Sequence, residues 1–340
     1  MNPGEFDYLC GLLRERSGLV LTKDKAYLLE NRLMPLARKR SIGGLDGLVN
    51  ALKGGDQILA AEVVDAMTTN ESFFFRDTKP FDQFKNLVLP KLLQARADKK
   101  ALRIWSAAAS TGQEPYTLAM LLKENAAQLA GWRIEIIGTD ISPTVLERAR
   151  QGIYTQFEVQ RGLPIQFLVK YFKQVENNGW QIDAGIRSMV SYREFNLLKD
   201  LSPIGACDVV FCRNVLIYFD QDTKARVLDG ISRLLPKDGY LFLGGAETVL
   251  GVSAKFAPIA GMNGIYGLAG GPLAAAAVPV IAATSATPAA AGKPAAATPA
   301  PTAMPGIAAP AAKPAVAPAP AAKPAGAAPA APAAPGRLRA

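Results

Sequence analysis

The sequence predicts an α/β fold: a mostly parallel sheet behind a helical N-terminal region, with a small antiparallel insertion near the middle of the chain. Three stretches predict it. Leu102–Trp105 is a short apolar run that ends in small residues, turns at Thr111-Gly112, and leads into the apolar periodic segment opened by Gln113-Glu114-Pro115. Arg133–Thr139 (RIEIIGT) is a β-branched run ending at Asp140, with a helical pattern after it. Cys207–Cys212 (CDVVFC) reads as a fully buried strand running into Arg213-Asn214-Val215. Strands that alternate with helical segments specify parallel βαβ units.

Taken in order, residues 4–66 read as helices. Phe6, Leu9, Leu12 and Leu13 recur at helical spacing and Gly18 stops that helix. Thr22 is placed to cap a second, with an apolar stripe of Tyr27, Leu28, Leu33, Leu36 and Ala37 and a kink or break expected near Pro35. Gly43-Gly44 and Gly54-Gly55 bracket a third helix. Residues 67–78 (MTTNESFFFRDT) break the periodicity, because three consecutive phenylalanines cannot all face one core from a helix. They read either as a buried linker or as a lid whose aromatics pack on a ligand. Phe81–Leu93 looks helical and leads into the sheet.

After the helix Ser142–Arg150, residues 153–195 lose the βα rhythm. Gln166–Tyr171 is helical, and Phe172–Val175, Trp180–Ile182 and Ile186–Phe195 read as short strands, with a hairpin turn at Asn178-Gly179. The helix Thr223–Leu235, the strand Tyr240–Leu243 and a closing pair, Phe256–Ile259 with Gly264–Leu268 turning near Asn263-Gly264, complete about seven strands. The domains expected are 1–85 (helices and linker), 86–268 (sheet domain, with 153–195 inserted) and 269–340, a disordered Ala/Pro-rich tail too poor in large apolar residues to build a core.

Composition narrows the chemistry. Lys293, Lys313, Lys323, Arg337 and Arg339 in the tail supply more than half of the net charge of +9, so the folded part is too mildly basic to indicate nucleic acid. The three cysteines form no disulfide framework, and no signal peptide or membrane span is legible, so a cytoplasmic protein is expected. There is no histidine. Ser-His-Asp catalysis and histidine metal sites are excluded, and three cysteines at these spacings make no metal site.

The small residues after the first strand let a ligand lie against backbone, in the crevice where open α/β sheets bind ligands. With no GxxxxGK[ST] and no GxGxxG, and with Glu114 at the start of the following helix, an amine-bearing ligand fits better than a polyphosphate. Asp140 either accepts hydrogen bonds from ribose hydroxyls, caps the next helix, or does both. Arg32, Arg38, Lys39 and Arg40 form a basic helix end that is either solvated dipole complement or a dock for an acidic helix.

The ordered series TTNESFFFRD, RIWSAAASTGQEPYTLAM, GTDIS, EFNLL and FCRNVLIYFD resembles the chemotaxis receptor methyltransferases, the CheR family, over about residues 5–268. The resemblance implies a class I, Rossmann-like methyltransferase domain with a seven-stranded sheet, a helical N-terminal domain and a small β-subdomain. It implies an S-adenosylmethionine-dependent protein-glutamate O-methyltransferase that modifies chemoreceptor cytoplasmic helices and releases S-adenosylhomocysteine. Cofactor contacts are then expected at Asn70, Ser72, Arg76, Glu114, Asp140, Asn196, Leu197, Asn214 and Val215. Ser72 stands where the family often has threonine, and Gln113 where it usually has a first glutamate, so the acidic role falls on Glu114. Arg76, holding either the cofactor's carboxylate or the substrate's, and Tyr218 are the expected catalytic residues, with Arg32 and Arg38–Arg40 docking the receptor and no metal involved. A monomer is expected, with neither nucleic acid nor membrane insertion. The β-subdomain of some members binds a receptor's C-terminal peptide by strand addition; here its hairpin is equally well read as purely structural. The alternative is a catalytically inactive cofactor-binding scaffold in a chemosensory-like pathway.

Overall fold

The computed structural model describes residues 2–274. The expectation for 275–340 lies outside the described residues; of the tail residues inside them, Leu273 packs against the sheet core. The chain begins with four helices, α1 (Pro3–Ser17), α2 (Ala26–Lys39), α3 (Gly44–Lys53) and α4 (Gln57–Met67). Asn2 caps α1 by a reciprocal pair of bonds with Glu5, and Gly18, in the left-handed conformation, ends it. Thr22 precedes a short 3-10 turn and makes no side-chain cap, so α2 starts later than its sequence suggests. Its buried stripe is Leu29, Leu33, Leu36 and Ala37, while Tyr27 is exposed. α2 runs unbroken through Pro35; packing of that stripe in the core of this helical region carries it across the missing backbone bond.

Lys79–Ala95 is helical in three contiguous pieces: α5 (Lys79–Gln83), a π turn (Phe84–Val88) and α6 (Leu89–Ala95). Pro90 at the start of α6 has no N–H to give the preceding turn, and the Leu89 N–H reaches back to the Phe84 carbonyl instead.

The main sheet has seven strands in the order β6-β2-β1-β7-β8-β10-β9. These are β1 (Ala101–Ala107), β2 (Arg133–Asp140), β6 (Val190–Glu194), β7 (Val209–Cys212), β8 (Tyr240–Leu243), β9 (Phe256–Ile259) and β10 (Met262–Leu268). β6, β2, β1, β7 and β8 are parallel, and β10 and β9 close one edge antiparallel. The strand order reverses between β1 and β7, so the carboxyl ends of β1, β2 and β7 meet at one crevice. Helix α7 (Gln113–Glu124) follows β1, α8 (Pro143–Gln151) follows β2, the short α9 (Gln156–Gln160), α10 (Ile165–Tyr171) and α11 (Ala184–Arg187) lie between α8 and β6, and α12 (Gln221–Leu234) lies between β7 and β8.

Three expectations about strands need correction. Ile186–Phe195 is not a strand of the insertion: Ala184–Arg187 is a helical turn, and β6 pairs parallel with β2 as an edge of the main sheet. The insertion's own three-stranded sheet is β3 (Ile153–Thr155), β5 (Gly179–Ile182) and β4 (Phe172–Val175) in that order. Its left-handed turn residues are Asn177 and Asn178, one position earlier than expected. The closing hairpin turns just before Met262, with Gly261 left-handed, whereas Gly264 sits where the β9–β10 register shifts as a bulge.

Candidate functional site

One cavity opens at the carboxyl ends of β1, β2 and β7. Its lining includes Asn70, Ser72, Arg76, Glu114, Asp140, Asn196, Leu197, Asn214, Val215 and Tyr218. Every residue expected to hold the cofactor or act in catalysis therefore meets the others in one place, although they come from five separate stretches of chain. The helical region closes the cavity with Ser17, Leu19, Thr68 and Thr69.

The wall made by the sheet is built from carboxylates gripped by backbone. Asp140, at the end of β2, accepts the Ser110 N–H (2.9 Å) and the Ser142 N–H (3.0 Å). Ser142 itself caps α8, so Asp140 braces both loops rather than serving as the cap. Burial pushes the Asp140 carboxyl above the usual aspartate range, against the pull of these N–H groups. Gly112, with φ 93°, starts α7; a Cβ there would stand 2.6 Å from the Tyr192 hydroxyl, so the loop after β1 admits only glycine. Glu114 accepts the Ser106 hydroxyl (2.8 Å) and pairs with Arg213 (2.8 Å). The turn after β7 is left-handed at Asn214. It is held by Glu247, which accepts N–H groups of Asn214 (2.8 Å), Val215 (2.9 Å), Ile217 (3.3 Å) and Gly244 (2.7 Å).

The opposite wall is the linker after α4. Arg76 donates to the Glu71 carbonyl (2.8 Å) and lies 5.6 Å from the Phe73 ring centre. Arg161 pairs with Glu71 and covers the other aromatic contact, 4.3 Å from Phe73. The lid reading of the three phenylalanines is corrected. Phe74 packs edge-on to Tyr154 (4.9 Å) and Phe172 (5.4 Å), and Phe75 packs near Phe167 (5.0 Å) and Phe81 (5.8 Å) in the sheet core. Only Phe73 is left partly exposed.

Asn196 lines the cavity and also makes two bonds inside the protein. It donates to the Arg16 carbonyl at the end of α1 (2.6 Å) and accepts the Leu198 N–H (2.9 Å). Two cations of the basic α2 face have partners inside the helical region. Arg32 donates to the carbonyls of Met67 (2.8 Å) and Thr68 (2.9 Å) at the end of α4, and Arg40 pairs with Glu62 (2.6 Å). Arg38 and Lys39 remain exposed.

Arg213, Ser106, Ser110 and Glu247 were not singled out by sequence reasoning. The signal for Glu247 was present, since it lies just beyond the carboxyl end of β8, on the edge that carries Asp140. Nothing local marked Arg213, whose partners lie 99 and 136 residues away. The thiols offer no base: Cys207 is pushed up to about 12 by burial, and burial also holds Cys212 well above the usual thiol range. Among the described residues no cluster suits a metal ion, and no helix is long and apolar enough to cross a membrane.

The donor set of the cavity suits S-adenosylmethionine: carboxylates for an amine and a ribose diol, a guanidinium for a carboxylate, and apolar Leu197 and Val215 for a base. Comparison with known proteins agrees. Residues 70–265 match the family model described as CheR methyltransferase, SAM binding domain, and residues 4–68 match CheR methyltransferase, all-alpha domain. Chemotaxis protein methyltransferase 1 of Pseudomonas aeruginosa is 41% identical over 249 residues, covering 72% of this chain and 90% of that protein. Chemotaxis protein methyltransferase Cher2 of Pseudomonas putida is 40% identical over 256 residues, 73% of this chain and 91% of that protein. Chemotaxis protein methyltransferase 1 of Vibrio cholerae is 37% identical over 255 residues, 74% of this chain and 92% of that protein. With a sheet, a cavity and two family domains in agreement, this chain belongs to the CheR methyltransferase family and takes S-adenosylmethionine as its cofactor.

Proposed function

We propose that the protein transfers the methyl group of S-adenosylmethionine to glutamate side chains of chemoreceptor cytoplasmic helices, giving glutamyl methyl esters and S-adenosylhomocysteine. The observation that carries this reading is a cavity rich in fixed carboxylates and cations that has no proton acceptor suited to neutral pH: no histidine, and thiols raised by burial. A glutamate has a solution pKa of about 4.3, so it is already a nucleophile near neutrality. Its oxygen forms the bond to the methyl carbon as the methyl–sulfur bond breaks; the sulfonium becomes a neutral thioether and no proton moves. Position and exclusion of water are what the protein must supply.

In this reading Asp140 accepts the ribose diol. Glu114 keeps lone pairs beyond those used by Ser106 and Arg213, and these take the cofactor's amine. Asn70, Ser72, Asn196, Leu197, Asn214 and Val215 complete the cofactor's surroundings. Arg76 holds a carboxylate, the cofactor's or the substrate's, and Tyr218 orients the attacking group. Arg38 and Lys39 steer acidic receptor helices, with Arg32 and Arg40 holding the helical region together behind them. The protein acts as a cytoplasmic monomer.

Incubation with labelled cofactor and receptor cytoplasmic fragments should release the label as methanol in mild alkali. Alkali-stable label would indicate N-methylation and refute the proposal.

A further inference from the structure

Arg213 has the lowest exposure of any charged residue among those described in the core, 5%, and its side chain is 1% exposed. Its guanidinium forks across the cavity's two walls. Nη1 donates to Glu114 on the sheet side (2.8 Å); Nη2 donates to the Asp77 carboxylate (2.7 Å) and to the Arg76 carbonyl (3.0 Å) on the linker side. The Phe81 ring lies under the guanidinium at 5.4 Å.

The linker it grips is strained. Phe75, Asp77 and Thr78 have φ of 53°, 68° and 46°, and none is glycine. Such a conformation is costly for a residue with a Cβ and persists only where neighbours over-determine it. Here the neighbours are Arg213 and the Thr117 hydroxyl, which receives the Phe75 N–H (3.2 Å). Arg76 lies inside this strained turn, and its own carbonyl is one of the three points Arg213 holds.

We propose that Arg213 is a positioning residue for methyl transfer, fixing Arg76 over the reacting groups by forking between Glu114 and the Arg76–Asp77 segment. This rests on the methyl-transfer reading above. Lysine at this position keeps the charge beside Glu114 but cannot reproduce a planar fork to three acceptors. On the sheet side only the Glu114 contact changes, and there the lysine charge remains; Ser110 and Ser142 still brace Asp140, and Glu247 still braces Asn214. Turnover should therefore fall much further than cofactor affinity.

The test compares wild type, Arg213→Lys and Asp77→Asn in methylation of a soluble receptor fragment, with S-adenosylhomocysteine affinity by calorimetry. Asparagine tolerates the left-handed φ at Asp77, whose side chain is 48% exposed, so this variant should fold even if the buried lysine does not. We expect kcat to fall about thirtyfold in Arg213→Lys and about fivefold in Asp77→Asn, with S-adenosylhomocysteine affinity within about threefold of wild type. The inference is overturned if kcat of the folded variants stays within about twofold of wild type, or if affinity falls in step with kcat. Absence of alkali-labile product from the wild-type protein would instead remove the methyl-transfer reading itself.

Discussion

The two walls of the cofactor cavity are made in different ways. On the sheet side most of the polar contacts are bonds between a carboxylate and backbone N–H groups at the strand ends: Asp140 accepts from Ser110 and Ser142, and Glu247 accepts from Asn214 and Val215. On the linker side Arg76 lies between the left-handed residues Phe75 and Asp77, in a turn fastened by two distant side chains, Arg213 and Thr117. The sheet wall is a consequence of topology, because parallel strands deliver their carboxyl ends to one edge. The linker wall exists only after long-range folding is complete. A half braced by local backbone bonds is thus joined to a strained half held by long-range contacts.

This contrast can be broken at several points. The largest effect is expected for Asp140→Ala, which removes the acceptor proposed for the ribose diol. Hydrogen bonds to a charged group contribute about 1.5–3 kcal/mol each, so cofactor affinity should fall about a hundredfold or more in calorimetry while circular dichroism stays native. Unchanged affinity would place the cofactor elsewhere. In the wild-type protein, affinity should weaken as pH falls, starting above the ordinary aspartate range, because burial raises the Asp140 carboxyl and only its ionised form accepts both hydroxyls.

Glu247→Ala tests whether the sheet wall is as firmly made as its bonds suggest. Four backbone N–H groups lose their acceptor, two of them at the Asn214-Val215 turn. A loss of about 2–4 kcal/mol is expected, read as a Tm lower by several degrees. An unchanged Tm would mean that solvent replaces the carboxylate without cost.

Outside the cavity, the division of the α2 cations sharpens the account of docking. The double variant Arg38→Glu with Lys39→Glu should raise KM for a receptor fragment about tenfold at low salt and leave kcat alone, with the difference shrinking as salt is added. Equal KM at low salt would remove α2 from the docking surface.

The smallest effect concerns Asp220, which caps α12 and pairs with Arg14 of α1. Its hydrogen bonds to Thr223 hold the carboxyl down at about 2. A depressed folded-state value contributes stability above the unfolded value of about 3.9 that is lost as pH falls toward the folded one. The Tm gap between wild type and Asp220→Asn should therefore close between about pH 4 and pH 2. A gap that persists below that window would contradict the assignment.

What was legible in the sequence follows the same division. β1, β2 and β7 announced themselves by apolar runs ending in small or acidic residues, and Glu114, Asp140 and Asn214 could be placed from the strand ends alone. β6 was misplaced because Ile186–Phe195 alternates like an edge hairpin strand, and only pairing with β2 tells which sheet it joins. The phenylalanines of the linker looked like a lid because their burial depends on Tyr154, Phe167 and Phe172 from the insertion. Arg32 and Arg40 looked free because Met67 and Glu62 lie on another helix. Local periodicity carried the strands and their ends; contacts across long stretches of chain did not show in it.

The claim on which the rest depends is that the nucleophile arrives already ionised, so that no group of the protein has to accept a proton. The dependence of kcat on pH, measured at saturating cofactor and receptor fragment, addresses it most directly. With an ionised nucleophile, the profile should rise with the ionisation of a glutamate near about pH 4–5 and stay flat to about pH 9. A further ascending limb with an apparent pKa between about 6 and 9 would reveal a general base and contradict it.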